Sequence, residues 1–282
     1  MISTVVNALS VDVEEYYHAG IYREGIGRTC ACGLESRVEA SVERVLRLFS
    51  DHEVRATFFV LGEVARAAPA LVRKIAGEGH ELASHGDRHE LVSAQRPDEF
   101  RQDVRRAKAT VEDLSGRSVL GYRAANFSIG RNETWAYDVL LEEGFRYDSS
   151  VYPILHDRYG DREAPRFPHA VRANGHGSLL EFPIGTTRVW GMNLPIGGGG
   201  YFRLLPVGLS RHGIRRVNRR EGRPVMFFFH PWELDPEQPR PWMPWRNRVR
   251  HYVGMEREEA KLATLLRSCR FTTAREVLGL EG

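Results

Sequence analysis

The stretch that decides the fold is TVVNALSVD, residues 4–12, followed at once by Val13, Glu14 and Glu15. A short apolar run rich in β-branched residues reads as a buried strand. Strand side chains alternate, so Asp12 and Glu14 point to one face and Val11, Val13 and Glu15 to the other. Similar units recur downstream. Ser36 and Glu39 have capping-box spacing before a helix carrying Val38, Val42, Val45, Leu46 and Phe49. RATFFVLG (55–62) is a second strand, and Pro69 opens a helix that stops at Gly77 and Gly79. Residues 80–84 form a third strand. Pro97 starts a helix closed by Gly116, 118–123 is a strand, and Asn132 caps a helix through Leu141 before the strand FRYD (145–148). This alternation predicts an α/β fold with a parallel sheet under helices, as a barrel or a doubly wound sheet.

From about residue 153 to 222 the pattern loosens. Gly197–Gly200 lack the Lys-Ser/Thr of a phosphate loop and read as a flexible turn. PVMFFFH (224–230) is a last strong strand, then come a Pro- and Trp-rich loop and a helix from about Glu256 to Leu266. No linker interrupts the chain, which predicts one domain over 1–282 with a C-terminal elaboration from about 231.

Composition is that of an ordinary globular protein: 282 residues, 42% hydrophobic, 27% charged. A net charge of +3 is too small to argue for nucleic acid. Cys30, Cys32 and Cys269 cannot build a disulfide framework, and one intervening residue is not the spacing of a zinc or redox pair. No run reaches the 18 apolar residues of a membrane span. The first residues have no basic region before their first acid at Asp12, so the expected compartment is the cytoplasm.

Ionisable groups gather at strand exits. Asp12 and Glu14 share a face where α/β folds place active sites, so one could hold a cation while its neighbour handles protons; a solvated acidic strand end is the plain alternative. His85 and His89 have the i, i+4 spacing of metal-binding pairs, provided the segment turns helically. Tyr122-Arg123, Asp148-Ser149-Ser150 and His230-Pro231-Trp232-Glu233 follow three further strands. Each alone suits a capping role; five together are poorly explained by chance.

These blocks resemble the NodB-type polysaccharide deacetylases, carbohydrate esterase family 4. The resemblance runs from NALSVDVEEYY through ATFFVLG, GHELASHG, GYRA, YDSS and FFHPWE to RFTT. It is closest to the branch with a C-terminal extension found beside exosortase-type exopolysaccharide gene clusters. It implies an irregular (β/α) barrel and a metal-dependent hydrolase, most simply with Zn2+, that removes N-acetyl groups from an N-acetylhexosamine-containing polysaccharide or lipid-linked precursor. By position it makes Asp12 the base, Glu14, His85 and His89 the metal ligands, and Arg123 the group that orients Asp12. The N–H of Asn126 becomes the oxyanion donor, a contribution typically worth about 2.7–4 kcal/mol. His230 becomes the acid that protonates the leaving amine, with Asp148 as its charge partner.

The chain departs from the family pattern twice. Glu14 replaces an aspartate ligand, which leaves Glu15 as a rival, and Ala125 replaces the proline of the oxyanion turn. Trp232, two residues from His230, is a candidate for stacking on sugar. Two other functions compete: an amide hydrolase for a small cyclic or linear amide, and a non-catalytic glycan-binding relative.

Overall fold

The computed structural model describes residues 5–20, 22, 34–156, 159–173 and 177–280. Cys30 and Cys32 lie outside these residues; Cys269 is buried and free. The main sheet is curled, with strand order β10-β1-β2-β3-β4-β5-β7-β6. Its strands are β1 (Asn7–Val13), β2 (Thr57–Val60), β3 (Glu81–Ser84), β4 (Gly121–Tyr122), β5 (Tyr147–Asp148), β6 (His169–Ala173), β7 (Gly177–Glu181) and β10 (Met226–Phe229). A ninth member, β11 (Phe271–Thr272), pairs with β1 outside this path. A separate hairpin joins β8 (Thr186–Val189) and β9 (Met192–Pro195).

All neighbours from β10 to β7 are parallel, and only β6 runs antiparallel, at the edge. Parallel pairing brings the strand exits to one rim, which is what places Asp12, His85, Arg123 and His230 near one another. The circle is closed by single bridges, Ile184 to Met226 and Gly198 to Phe228, so the barrel is irregular.

Alternation along β1 is carried through to the core. Leu9, Val11 and Val13 join Phe58, Phe227 and Phe229 in the cluster beneath the helices. Ala8, Phe59, Met226 and Phe228 form a second cluster on the opposite face, the face that Asp12 shares. The helices around the first half are α1 (Val38–Asp51), α2 (Gly62–Ala67), α3 (Pro69–Gly77), α4 (Pro97–Ser115) and α5 (Trp135–Glu142). Those of the second half are α6 (Gly199–Leu204), α7 (Val207–Arg220), α8 (Trp245–Tyr252), α9 (Met255–Leu266) and α10 (Ala274–Leu278).

Two local expectations are corrected. Ser36 and Glu39 do not form a capping box on α1. Glu15 takes that place instead, accepting from the N–H groups of Arg37 (3.1 Å) and Val38 (3.3 Å) and from the Ser36 hydroxyl. A carboxylate on those open N–H groups also complements the helix dipole. Nor is the glycine run a loose turn. Phe228 N–H donates to Gly197 O at 2.8 Å, and a Cβ on Gly198 (φ 106°) would sit 1.8 Å from Phe228 O. Gly198 is needed because two backbones meet there with no room for a side chain.

Candidate active site

The rim opens into a cleft of about 1190 Å³ whose lining includes Asp12, Glu14, His85, His89, Asn126 and His230. Glu14 Oε2 lies 2.7 Å from His89 Nε2 and 3.9 Å from His85 Nε2. One ligand atom from each of these three buried residues falls within 4.8 Å of the other two. His85 reaches this position directly from the end of β3. Its Nδ1 is 2.9 Å from Arg123 O, and only a protonated Nδ1 can donate to a carbonyl. The Nε2 lone pair is thereby turned toward Glu14.

His89 arrives differently from the sequence expectation. Residues 85–89 form no helix; the chain turns through Gly86 (φ 79°) and a left-handed His89 (φ 52°). Asp87, fully buried between the two histidines, pins this loop. It meets Arg66 at 2.6 Å and Arg106 at 2.7 Å, and its N–H donates to Asp103. A non-glycine residue with positive φ costs of order 1–3 kcal/mol, and these contacts hold it in place.

Burial alone would raise the Glu14 carboxyl. The neighbouring His89, His230 and His85 outweigh it and hold Glu14 well below the usual carboxylate range. Burial pushes His85 down to about 4, so its ring is neutral. A carboxylate facing two imidazoles, one with its lone pair fixed inward, is a donor set that fits a divalent cation such as zinc. Glu15, spent on α1, does not join this donor set.

Asp12 Oδ1 accepts from Arg123 Nη1 at 2.5 Å. The guanidinium is wholly buried, and Ser10 Oγ, Ser149 O and Ser149 Oγ accept three more of its five N–H groups at 2.9–3.1 Å. It also lies 4.0 Å over the Phe59 ring. Arg123 therefore fixes the orientation of Asp12.

Asn126 and Phe127 both adopt left-handed backbone (φ 50° and 52°), so the turn is strained where the cleft begins. Ala124 N–H donates to Ser150 Oγ at 2.8 Å, and that hydroxyl donates to Asp148 Oδ1 at 2.6 Å. Asp148 is thus committed to the Asn126 turn, and its pairing with His230 is not met. Burial raises both Asp148 and its hydrogen-bonded neighbour Glu181, the latter well above the carboxylate range.

The charge partner of His230 is Glu233, three residues along the tight turn Pro231–Leu234. Their Nδ1 and Oε2 are 3.4 Å apart, and Glu233 also meets Arg203 at 3.2 Å. Across the cleft His230 Nε2 lies 3.6 Å from Glu14 and 4.0 Å from Asp12. Burial lowers the imidazole, but Glu233, Glu14 and Asp12 raise it to about 9.

Trp232 is corrected as well. It is 6% exposed and its ring is sandwiched between His230 (centroids 5.0 Å apart) and His251 (4.6 Å). With both faces covered, no sugar can stack on it. Its Nε1–H donates to Glu14 Oε1 at 3.2 Å, leaving Oε2 to face the histidines. The roles of Trp232, Glu233 and His251 were missed by sequence reasoning. Only the three-residue step from His230 to Glu233 could have signalled one of them.

Residues 31–140 match the family described as polysaccharide deacetylase. Over these residues the chain is similar to the NodB-type polysaccharide deacetylases of carbohydrate esterase family 4. Residues 149–279 match a second family described only as a domain of unknown function, and this portion supplies the Trp232, Glu233 and His251 shell. A peptidoglycan deacetylase of Helicobacter pylori is 27% identical over 148 residues, 52% of this chain and 45% of that one. A chitooligosaccharide deacetylase of a Bradyrhizobium strain is 32% identical over 96 residues, 34% of this chain and 42% of that one. The chain thus matches less than half the length of these curated relatives. Its fold is shared with a Mycobacterium smegmatis structure carrying a provisional polysaccharide-deacetylase name. That pair has 20% identity and a TM-score of 0.67, with 99% of this chain and 90% of that one covered.

Proposed function

We propose that the protein hydrolyses N-acetyl groups from an N-acetylhexosamine-containing glycan or its lipid-linked precursor, in bacterial exopolysaccharide synthesis. The observation that carries this reading is the convergence, in one cleft, of a three-donor cation site, an arginine-held carboxylate and a histidine held protonated. Glu14, His85 and His89 would hold the cation, and a divalent ion there supplies Lewis acidity to the acetyl carbonyl and the attacking water.

Asp12 takes the proton from water as it adds to the acetyl carbon. Arg123 keeps Asp12 aimed. The Asn126 N–H faces the oxygen that gains charge. His230 gives its proton to the departing amine, which would otherwise leave as an unstable amide anion. Glu233 keeps that proton on His230 at neutral pH. The cleft, at about 1190 Å³, has room for an oligosaccharide.

Acetate release from N-acetylglucosamine oligomers, measured beside metal content, tests the reading. We expect acetate release that chelation abolishes and added zinc restores. Turnover of small cyclic amides alone would replace the substrate class. A metal-loaded protein that binds glycan without releasing acetate would make it a binding relative.

A further inference from the structure

Helix α8 turns its apolar stripe toward solvent. Trp245, Val249 and Val253 follow one another at four-residue spacing and are 70%, 44% and 47% exposed. On the opposite side of the helix His251 is buried against Trp232. Trp242, 82% exposed, lies in the segment just before the helix. Scattered surface hydrophobes are normal, but a contiguous stripe marks an interface. The patch continues onto α6. Arg203 donates to the carbonyls of Arg250 (2.8 Å), His251 and Val253 (3.3 Å), so exposed Leu204 lies beside the end of α8.

Charge shows what kind of surface fits. Between Glu237 and Glu256 the chain carries Arg240, Arg246, Arg248 and Arg250 and no carboxylate. Arg246 and Arg248 are exposed, and no carboxylate among the described residues pairs with either. A second copy is a poor occupant, because two-fold pairing would set arginines against arginines with no acid between them. A soluble polyanion satisfies the arginines but leaves the tryptophans and valines in water. An anionic bilayer satisfies both, since its phosphates take the arginines and its headgroup layer takes the apolar side chains.

We propose that this face docks on an anionic lipid membrane. Leu204 and Arg250 also line the cleft, so docking sets the cleft mouth at the membrane surface. The surface stands on exposure and charge alone and does not depend on what the cleft hydrolyses.

The test is co-sedimentation of the full chain with vesicles of phosphatidylcholine, with or without phosphatidylglycerol. We expect binding only with phosphatidylglycerol, weakened by salt. The double variant Arg246→Gln/Arg248→Gln should bind roughly twenty- to thirtyfold more weakly, at about 1 kcal/mol per arginine. Trp245→Ser/Val249→Ser should bind at least about tenfold more weakly while acetate release from soluble oligomers is unchanged. Absence of binding to anionic vesicles, or wild-type binding by both variants, overturns the proposal. So does a concentration-dependent dimer that Trp245→Ser disperses, which would assign the face to a second copy. Either result leaves the acetate-release reading standing.

Discussion

His80 and His85 flank the same strand, β3, and share burial and a pKa pushed down to about 4, yet they do different work. His80, at the strand's start, packs near Phe49 and Phe58 and accepts from Ala56 N–H at 3.2 Å. His85, at the strand's exit, gives its Nδ1–H to a carbonyl and faces a carboxylate with the other nitrogen. Burial and a shifted pKa do not separate a core histidine from a ligand. What separates them is the end of the sheet and the company each keeps: aromatic rings at one end, converging donors at the other.

The sharpest break between the two is metal. His85→Ala should lose the bound ion and at least about 10³-fold in turnover, while His80→Gln keeps both, checked by metal content and acetate release. Equal losses would erase the distinction. Asp12→Asn should next separate binding from proton transfer within the exit cluster, keeping the metal and losing about 10²–10⁴ in turnover. If that variant loses metal, Asp12 is a ligand.

A smaller effect tests the shell. Trp232→Phe removes the hydrogen bond to Glu14 but keeps the stacked ring. It should weaken metal affinity by about ten- to a hundredfold, read by competition with a chelator. A wild-type affinity would reduce Trp232 to packing.

The smallest effect belongs to His80. Its folded pKa lies below the unfolded value of about 6.5, so the unfolded chain binds more protons. Its contribution is present above pH 6.5 and is lost as pH falls toward 4. Denaturation at pH 7 and pH 4.5 should show His80→Gln reducing this acid loss by roughly 2 kcal/mol. An unchanged difference would mean that other groups govern acid unfolding.

The exit cluster was legible because strand alternation and strand ends are local properties: Asp12, Glu14 and His85 sit where period and position put them. His89 was legible by spacing but for the wrong reason, since a left-handed loop pinned by Asp87, not a helix, brings it in. Asp148 was misassigned because its strand exit is right but its partner is the nearer Ser150. Trp232 looked like a sugar platform because its sequence neighbours do not reveal that His251, nineteen positions on, covers its second face. The strands between 169 and 195 escaped notice because they are short and interrupted by glycine. What sequence withheld was a distant contact for Trp232 and local backbone geometry for His89 and Asp148.

The account rests on Glu14, rather than its neighbour, completing the cation site. Equilibrium dialysis against zinc, followed by metal analysis of the wild type, Glu14→Gln and Glu15→Gln, tests that directly. We predict about one zinc per chain for the wild type and for Glu15→Gln, and essentially none for Glu14→Gln at the same free concentration. Full zinc retention by Glu14→Gln, or its loss only in a folded Glu15→Gln protein, would contradict it.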